Sequence, residues 1–162
     1  MEKECAQKTL TQIMDLYGDM VFHLCCLHLD HRQDAMDVFQ NVFLSLYQSK
    51  KQFHDEEHIK AWLISTTLHA CIDERRKFWK RHVIALDEML YPVKEPSQKE
   101  VLMYLMKLAA HEKTVLYLYY YQGYQIKEIA GLLHRKENTV KSWMKRGKQH
   151  LREMMGGDFD ES

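Results

Sequence analysis

The sequence contains few of the residues that interrupt helices. Only two of its 162 residues are proline and six are glycine, and the alternating valine, isoleucine and threonine runs typical of strands are almost absent. No segment approaches the ~20 uncharged residues that a membrane-spanning helix needs. The opening Met-Glu-Lys-Glu-Cys stretch lacks the apolar segment found in signal peptides. These absences favour an all-α, cytoplasmic protein that has no contact with a membrane.

The sequence also lacks the motifs of catalysis and cofactor binding. It has no phosphate-binding loop, no nucleophile elbow and no paired carboxylates at a useful spacing. None of the four cysteines forms a Cys-x-x-Cys pair, which predicts reduced and mostly buried thiols. Cys25, His28 and His31 recur every three residues but have no evident fourth partner for a metal ion. We therefore expect neither an enzyme nor a protein that holds a metal or another cofactor.

Three amphipathic helices are predicted in the first half of the chain. The first covers about residues 10–28, and the second begins at a capping box of Asp30 and Gln33 and ends near Gln48. After a polar loop, Asp55 is the predicted cap of the third helix. The apolar stripe of the first helix consists of Ile13, Leu16, Tyr17, Met20, Val21 and Leu24. That of the second consists of Ala35, Val38, Phe39, Val42, Phe43, Leu46 and Tyr47.

The two prolines, Pro92 and Pro96, lie close together near the middle of the chain. Because proline interrupts helices, we predict a linker at residues 83–97 between a domain at 8–82 and a domain at 98–155. The predicted fold class is therefore all-α, with two small helical domains. The second domain is expected to contain four short helices, at about residues 98–109, 111–121, 125–133 and 137–154.

The last two helices have the outline of a helix-turn-helix unit, with Ala130 as the small residue at the helix crossing. Residues 135–152 contain seven basic side chains and one acidic one, a formal charge of +6 in a chain whose total charge is zero. At ~100° per residue, the last helix points Val140, Met144, Gly147 and Leu151 inward. Its opposite side carries Asn138, Lys141, Ser142, Lys145, Arg146 and Gln149. This pattern favours a DNA-binding face; the alternative is an ordinary solvated surface.

Residues 107–153 resemble region 4 of the sigma-70 family, in particular its extracytoplasmic-function group. The shared motifs are "YQGY" at 121–124, "EIA" at 128–130 and "TVKS" at 139–142. In the first half, "DAMDVFQNVFLSLYQ" at 34–48 resembles region 2, and "IKAWLISTTLHACIDERRK" at 59–77 resembles its promoter-melting helix. The two resemblances occur in the family's order and together cover most of the chain.

The resemblance implies a sigma factor that binds bacterial core RNA polymerase and directs promoter-specific initiation, with an anti-sigma factor as a possible further partner. Contacts with the upstream promoter element are implied for Arg135, Lys136, Asn138, Thr139, Lys141, Ser142, Lys145, Arg146, Lys148 and Gln149. Contacts with the downstream element, where the promoter is melted, are implied for Phe53, His69, Arg75, Arg76, Lys77, Lys80 and Arg81. Polymerase contacts are implied for Asp34, Asp37, Gln40, Asn41 and Leu44. The alternative is a helix-turn-helix regulator that does not engage the polymerase.

The chain departs from the family pattern at several positions. Ala109 replaces the usual proline, and His69 replaces the usual asparagine of the melting helix. His134 and Arg135 replace the glycine and the apolar residue of the turn, so His134 is expected in a left-handed conformation. Trp143 stands where arginine is common, and its angular position predicts packing against the flank of the domain.

Two groups of aromatic residues allow both a core and a nucleic-acid interpretation. Trp62 lies near the loop where the family captures an unstacked base, but it is on the apolar side of its helix. For the five tyrosines of "YLYYYQGY", we favour a role in the core over a stacking platform. These tyrosines are Tyr117, Tyr119, Tyr120, Tyr121 and Tyr124.

Overall fold

Helices account for most of the described chain, which comprises residues 4–5, 8–77 and 96–156 of a computed structural model. The protein divides into two units between residues 85 and 86. The first unit contains the strands β1 (Glu4–Cys5) and β2 (Lys8–Thr9) and the helices α1 (Leu10–His28), α2 (Arg32–Gln48) and α3 (Glu56–Lys77). The second contains α4 (Pro96–Met106), α5 (Ala110–Tyr120), α6 (Ile126–Leu133) and α7 (Glu137–Met154). The prediction of an all-α fold is confirmed, apart from the antiparallel pairing of the two short strands.

The predicted linker at 83–97 lies outside the described residues up to position 95, so its boundaries remain a prediction. None of the described helices is long and apolar enough to cross a bilayer. The helix bounds predicted from apolar periodicity agree with the structure to within a few residues in both units.

In the first unit, α1, α2 and α3 each pack against the other two. Their apolar positions recur every three or four residues, so each helix presents one stripe to a shared core. Side chains that are almost completely removed from solvent include Ile13, Leu24, Leu46, Ile59, Leu63 and Ile64. Burial of such side chains is the main favourable contribution to the stability of this unit.

Two residues of the predicted stripes do not belong to the core. Leu16 is 54% exposed and Tyr47 is 49% exposed. On a helical wheel Leu16 is ~60° from Ile13, and Tyr47 is ~100° from Leu46. Both therefore lie at the edge of their stripe, on the side that is exposed to solvent.

The start of α2 also differs from its prediction, whereas the start of α3 agrees. The N-cap of α2 is His31, with no side-chain capping bond, so the predicted capping box of Asp30 and Gln33 does not form. Asp30 lies one residue too early to cap this helix. At α3, the Asp55 carboxylate accepts a hydrogen bond of 2.8 Å from the backbone N–H of His58. The predicted cap of α3 is therefore confirmed.

In the second unit, α5 and α7 form the largest helix–helix contact, while α4 and α6 pack against both of them. The four residues predicted to face inward on α7, namely Val140, Met144, Gly147 and Leu151, are all buried. They face an apolar core that includes Leu102, Leu105, Val115, Leu116, Tyr117 and Ile129. The helical wheel therefore predicted the buried side of α7 correctly.

The closest approach of α5 and α7 occurs at Gly147. A Cβ atom at this position would lie 2.9 Å from Leu116 Cδ1 and 3.2 Å from Glu112 Cβ. Leu116 is 1% exposed, so its side chain has little space into which to move. A glycine is thus required on α7 for steric reasons, although glycine is otherwise unfavourable within a helix.

We predict that Gly147→Ala lowers the stability of the second unit by about 1 kcal/mol. Overpacking costs roughly 1–3 kcal/mol, and the better helix propensity of alanine offsets about 1 kcal/mol of this. Hydrogen exchange of the α5 and α7 amides in the full chain measures the change. Gly131→Ala in α6 is the matched control, because its Cβ would meet no atom within 4 Å and alanine should stabilise that helix. Equal effects of the two substitutions would contradict the proposed steric requirement.

Candidate nucleic-acid interface and a second exposed face

The turn between α6 and α7 is formed by His134 and Arg135. His134 has φ 53° and ψ 47°, the left-handed conformation expected for this position. Its backbone N–H donates to the carbonyl of Gly131 at 3.4 Å, and that of Arg135 donates to the carbonyl of Ala130 at 3.0 Å. This pair of bonds is the Schellman arrangement that ends many helices. It directs the chain from α6 into α7 without a glycine at the turn.

The outward side of α7 is polar and open to solvent. The residues predicted to face outward, Asn138, Lys141, Ser142, Lys145, Arg146 and Gln149, are all exposed, while Thr139 and Lys148 are half-buried. Arg135 and Lys136 are exposed in the turn that precedes the helix. All ten side chains predicted to contact the upstream element therefore lie on the turn or on one helix, where they form a continuous polar surface.

Trp143 does not belong to this polar surface. Its ring stacks on that of His111, at the start of α5, with 4.3 Å between ring centroids and 6° between ring planes. The predicted packing of Trp143 against the flank of its domain is confirmed. Its partner was not predicted, because no periodicity relates residues so far apart in sequence.

A polar contact also joins α5 to α7. His150 Nδ1 contacts both carboxylate oxygens of Glu112, one of them at 3.2 Å. The side chain of Glu112 is 6% exposed and that of His150 is 53% exposed. Because a buried carboxylate needs a partner, this contact helps to fix the position of α7 relative to α5. The two residues are separated by 38 positions, so no local sequence pattern predicts their contact.

The exposed side of α2 is a second candidate surface. Asp37, Gln40, Asn41 and Leu44 are exposed, and Leu44 is an apolar side chain with 51% of its surface in solvent. The prediction that Asp34 belongs to this face was wrong, because Asp34 is only 5% exposed. It lies in the first turn of α2, where a carboxylate is favoured by the helix dipole. Because the Asp34 side chain is buried near the start of the helix, a partner cannot contact it.

The basic end of α3 and the loop before that helix contain the residues predicted to contact the downstream element. His69, Arg75, Arg76 and Lys77 are exposed on α3, whereas Lys80 and Arg81 lie outside the described residues. Phe53 is 8% exposed. The basic end of α3 is therefore accessible to a ligand, whereas little of the Phe53 ring is.

The buried Phe53 ring belongs to an aromatic cluster. It makes edge contacts with Trp62 at 5.8 Å and with His58 at 5.1 Å between ring centroids. The ring of His54 stacks on His58 at 5.6 Å, and the His58 Nδ1 atom accepts a hydrogen bond from the His54 backbone. Of these rings, that of His54 is the most exposed. Trp62 is half-buried and supports the loop, in agreement with its position on the apolar side of α3.

The three cysteines in the helices of the first unit are free and buried. A hydrogen bond with Cys71, followed by burial, raises the pKa of the Cys25 thiol. Burial raises the pKa of Cys26 to about 12. Since the thiolate is the reactive form, these cysteines are structural components of the core.

Comparison with known families bears on both surfaces. The family described as Sigma-70 region 2 matches residues 13–81, which include the exposed face of α2 and the basic end of α3. The family described as Sigma-70, region 4 matches residues 98–151, which include the whole of the helix-turn-helix unit. The chain belongs to the sigma-70 family. Its relatives place it in the extracytoplasmic-function (ECF) group of that family.

Individual sigma-70 proteins resemble the chain over different shares of their length. ECF RNA polymerase sigma factor SigM of Mycobacterium tuberculosis is 30% identical over 129 residues, which cover 76% of this chain and 65% of SigM. The alignment thus spans about two thirds of that relative. ECF RNA polymerase sigma factor SigX of Bacillus subtilis is 25% identical over 165 residues, or 92% of this chain and 84% of SigX.

Two solved structures share the fold. The sigma factor RpoE of Bartonella quintana, crystallised with the anti-sigma factor NepR, has a TM-score of 0.71 at 16% identity and covers 92% of this chain and 98% of that one. CnrH, in complex with the cytosolic domain of CnrY, has a TM-score of 0.64 at 18% identity. This match covers 93% of the present chain and 89% of CnrH.

We predict that His150→Ala destabilises the second unit by about 1–3 kcal/mol, because it leaves the buried Glu112 carboxylate without this partner. The free energy of unfolding in urea, monitored by hydrogen exchange of the α5 and α7 amides, measures the effect. Gln149→Ala, on the exposed side of the same helix, is the control and should change stability by no more than about 0.5 kcal/mol. If both variants unfold at the same urea concentration, the contact does not stabilise the pairing of α5 and α7.

Proposed function

We propose that the protein is a sigma factor that binds bacterial core RNA polymerase and directs it to specific promoters. The observation that carries this proposal is the succession of a region 2 match and a region 4 match in one chain, with an exposed basic face on α7 opposite its buried side. A factor with this role works in the bacterial cytoplasm and has no chemistry of its own. It acts by binding and by changing the conformation of DNA.

The outward face of α7 binds the upstream promoter element in the major groove. In helix-turn-helix proteins the first residues of the recognition helix contact base edges, which assigns this role to Asn138, Lys141 and Ser142. The basic side chains of Lys145, Arg146 and Lys148, together with Arg135 and Lys136 in the turn, bind phosphates. Thr139 and Gln149 border the same surface. The buried packing of α7 against α5 supports this assignment because it leaves these side chains facing solvent.

The exposed side of α2 binds the polymerase. Asp37, Gln40, Asn41 and Leu44 combine polar groups with an exposed apolar side chain. Protein interfaces commonly surround an apolar centre with a polar rim, and Leu44 is the apolar residue in this set. Asp34 is not part of the proposed surface because it is buried.

The end of α3 and the preceding loop open the downstream element. Unpaired bases leave the stack at a cost of a few kcal/mol, which contacts with a protein offset. Arg75, Arg76 and Lys77 bind the phosphates beside the opened bases, together with Lys80 and Arg81. His69 faces the same region, and the buried Phe53 supports the loop. An anti-sigma protein is a further proposed partner. The solved structure of RpoE contains the anti-sigma factor NepR, and that of CnrH contains the cytosolic domain of CnrY.

We expect the purified protein, added to core RNA polymerase, to produce run-off transcripts from a subset of genomic fragments. Core polymerase alone is the control and should give no specific transcript. A protein that forms no complex with the core in gel filtration and starts no transcript is not a sigma factor. Specific binding to duplex DNA without polymerase would instead indicate a helix-turn-helix regulator.

Lys141→Ala and Arg146→Ala should each reduce initiation from duplex promoters about fivefold or more, because a lost base or phosphate contact weakens DNA binding by roughly 1–3 kcal/mol. Their affinity for free core polymerase should not change. Lys107→Ala is the matched control, since Lys107 is an exposed lysine of the same unit outside α6 and α7. An equal loss of polymerase binding in the α7 variants would show that this face is assigned to the wrong partner.

For the polymerase contact, we predict that Leu44→Asp weakens binding to the core at least tenfold, because a charge would replace an apolar side chain at the centre of the interface. Titration of the core with labelled protein measures the affinity. Leu16→Asp is matched in exposure, since Leu16 is 54% and Leu44 51% exposed, and it should bind normally. Similar losses for both variants would place the interface elsewhere on the first unit.

A further inference from the structure

A groove runs along one side of α7, from the proposed base-contacting residue Lys141 towards the end of the helix. One cavity, of about 360 Å³, is lined by Tyr119, Ile126, Lys141, Met144, Lys145 and Lys148. A second, of about 380 Å³, is lined by Lys145, Lys148, Gln149, Arg152 and Glu153. Because Lys145 and Lys148 line both cavities, the two form one continuous depression, which we call the α7 groove.

The α7 groove is lined by four basic side chains and by one acidic side chain, that of Glu153. Lys141, Lys145, Lys148 and Arg152 follow one another at intervals of four, three and four residues, so they form a single stripe on the helix. Within residues 96–156, Lys141 and Lys145 form no ion pair with a carboxylate. The stripe therefore offers positive charge to an extended, negatively charged ligand.

Aromatic and apolar groups accompany this stripe. The ammonium group of Lys148 lies 5.8 Å from the centroid of the Tyr120 ring. Tyr120 is 36% exposed and also lines an apolar cavity of about 230 Å³ together with Val101, Leu105, Leu116, Tyr121 and Leu151. A ligand that binds the lysines thus also meets apolar surface beside them, which suits a peptide that combines acidic residues with an aromatic one.

The chain itself contains such a peptide directly after α7. Residues 158–162 are Asp-Phe-Asp-Glu-Ser, with three acidic side chains and one phenylalanine. In an extended peptide, neighbouring side chains point to opposite sides. Asp158 and Asp160 would therefore face one way and Phe159 the other. This alternation matches a groove with lysines along one side and Tyr120 beside them.

The connection between α7 and this segment is short but sufficient. Gly156 has φ 71°, the left-handed conformation that turns a chain away from the axis of the preceding helix. The distance along α7 from Met154 back to Lys145 is about 14 Å at 1.5 Å per residue. Five extended residues, 157–161, span up to roughly 17 Å. The acidic side chains can thus reach Arg152, Lys148 and Lys145.

We propose that residues 158–162 bind in the α7 groove and compete with DNA for its lysines. The binding itself depends only on the groove and the segment. Its consequence, weaker DNA binding by the free protein, rests on the proposed function of α7. The contact would reduce binding to DNA until a promoter adds base contacts to the phosphate contacts and so displaces the segment. Such a contact would limit the binding of this basic helix to DNA of arbitrary sequence.

The docking is tested first in the absence of DNA. Amide chemical shifts of the full-length, ¹⁵N-labelled protein are compared with those of the triple variant Asp158→Asn, Asp160→Asn, Glu161→Gln. We expect shift changes at residues 145–152 and at Tyr119 and Tyr120, and smaller ones at high salt because screening weakens exposed ion pairs. The control variant Asp15→Asn, Asp19→Asn, Glu57→Gln removes the same number of exposed acidic charges from the first unit. Changes confined to residues 156–162 would overturn the proposal.

The competition is tested with duplex DNA of mixed sequence at low salt. Neutralising the acidic segment should strengthen binding about five- to tenfold, the range expected for a few surface ion pairs, and the control variant should change it less than twofold. Shift changes at α7 without a change in DNA affinity would overturn the competition. If none of the proteins bound DNA, the proposed function of α7 would fail, while the chemical shifts would still decide whether the segment binds the groove.

Discussion

The close approach of α5 and α7 at Gly147 is the contact on which the position of the candidate DNA-binding face depends. Gly147 has no side chain, so Leu116 and the Cβ atom of Glu112 can approach the α7 backbone. At that distance His150 reaches the Glu112 carboxylate, and Trp143 reaches His111. One steric condition thus allows a polar contact and an aromatic one to act on the same pair of helices. Together they fix the rotation of α7 about its own axis, and this rotation determines which side chains face solvent.

The zero net charge of the chain conceals a strongly uneven distribution. Non-specific affinity for DNA depends on charges that lie close enough to contact phosphates, so the net charge of the whole protein is a poor guide to it. The basic residues of 135–152 lie on the exposed side of α7 or in the turn before it, because the other side of α7 packs in the core. On α2, the exposed side instead combines Asp37 with amides and with Leu44. The two surfaces therefore suit partners of different chemistry, although each belongs to a small helical unit.

Much of the fold and of the site was predictable because short-range periodicity determines the faces of helices. The buried side of α7 and the left-handed conformation of His134 both follow from local rules. The failures concern residues whose environment depends on a neighbouring element. Asp34 has a polar side chain at a position that the fold buries, and Leu16 has an apolar one at a position that the fold leaves exposed. The pairing of Glu112 with His150 depends on how α5 crosses α7, which no local pattern contains.

Two of the departures from the family motif, His134 and Trp143, fall on the supports of α7 and leave its exposed face intact. His134 adopts a conformation that costs most residues about 1–2 kcal/mol, yet the backbone bonds of Arg135 and His134 close the turn as they would around a glycine. At position 143 a tryptophan replaces the arginine that is common in the family, and its ring stacks on that of His111. Lys141, Ser142 and Lys145, its neighbours in sequence, remain exposed. The substitution therefore changes how α7 is held against α5, and the polar side chains available to DNA are still the ones that the helical wheel places on the opposite side.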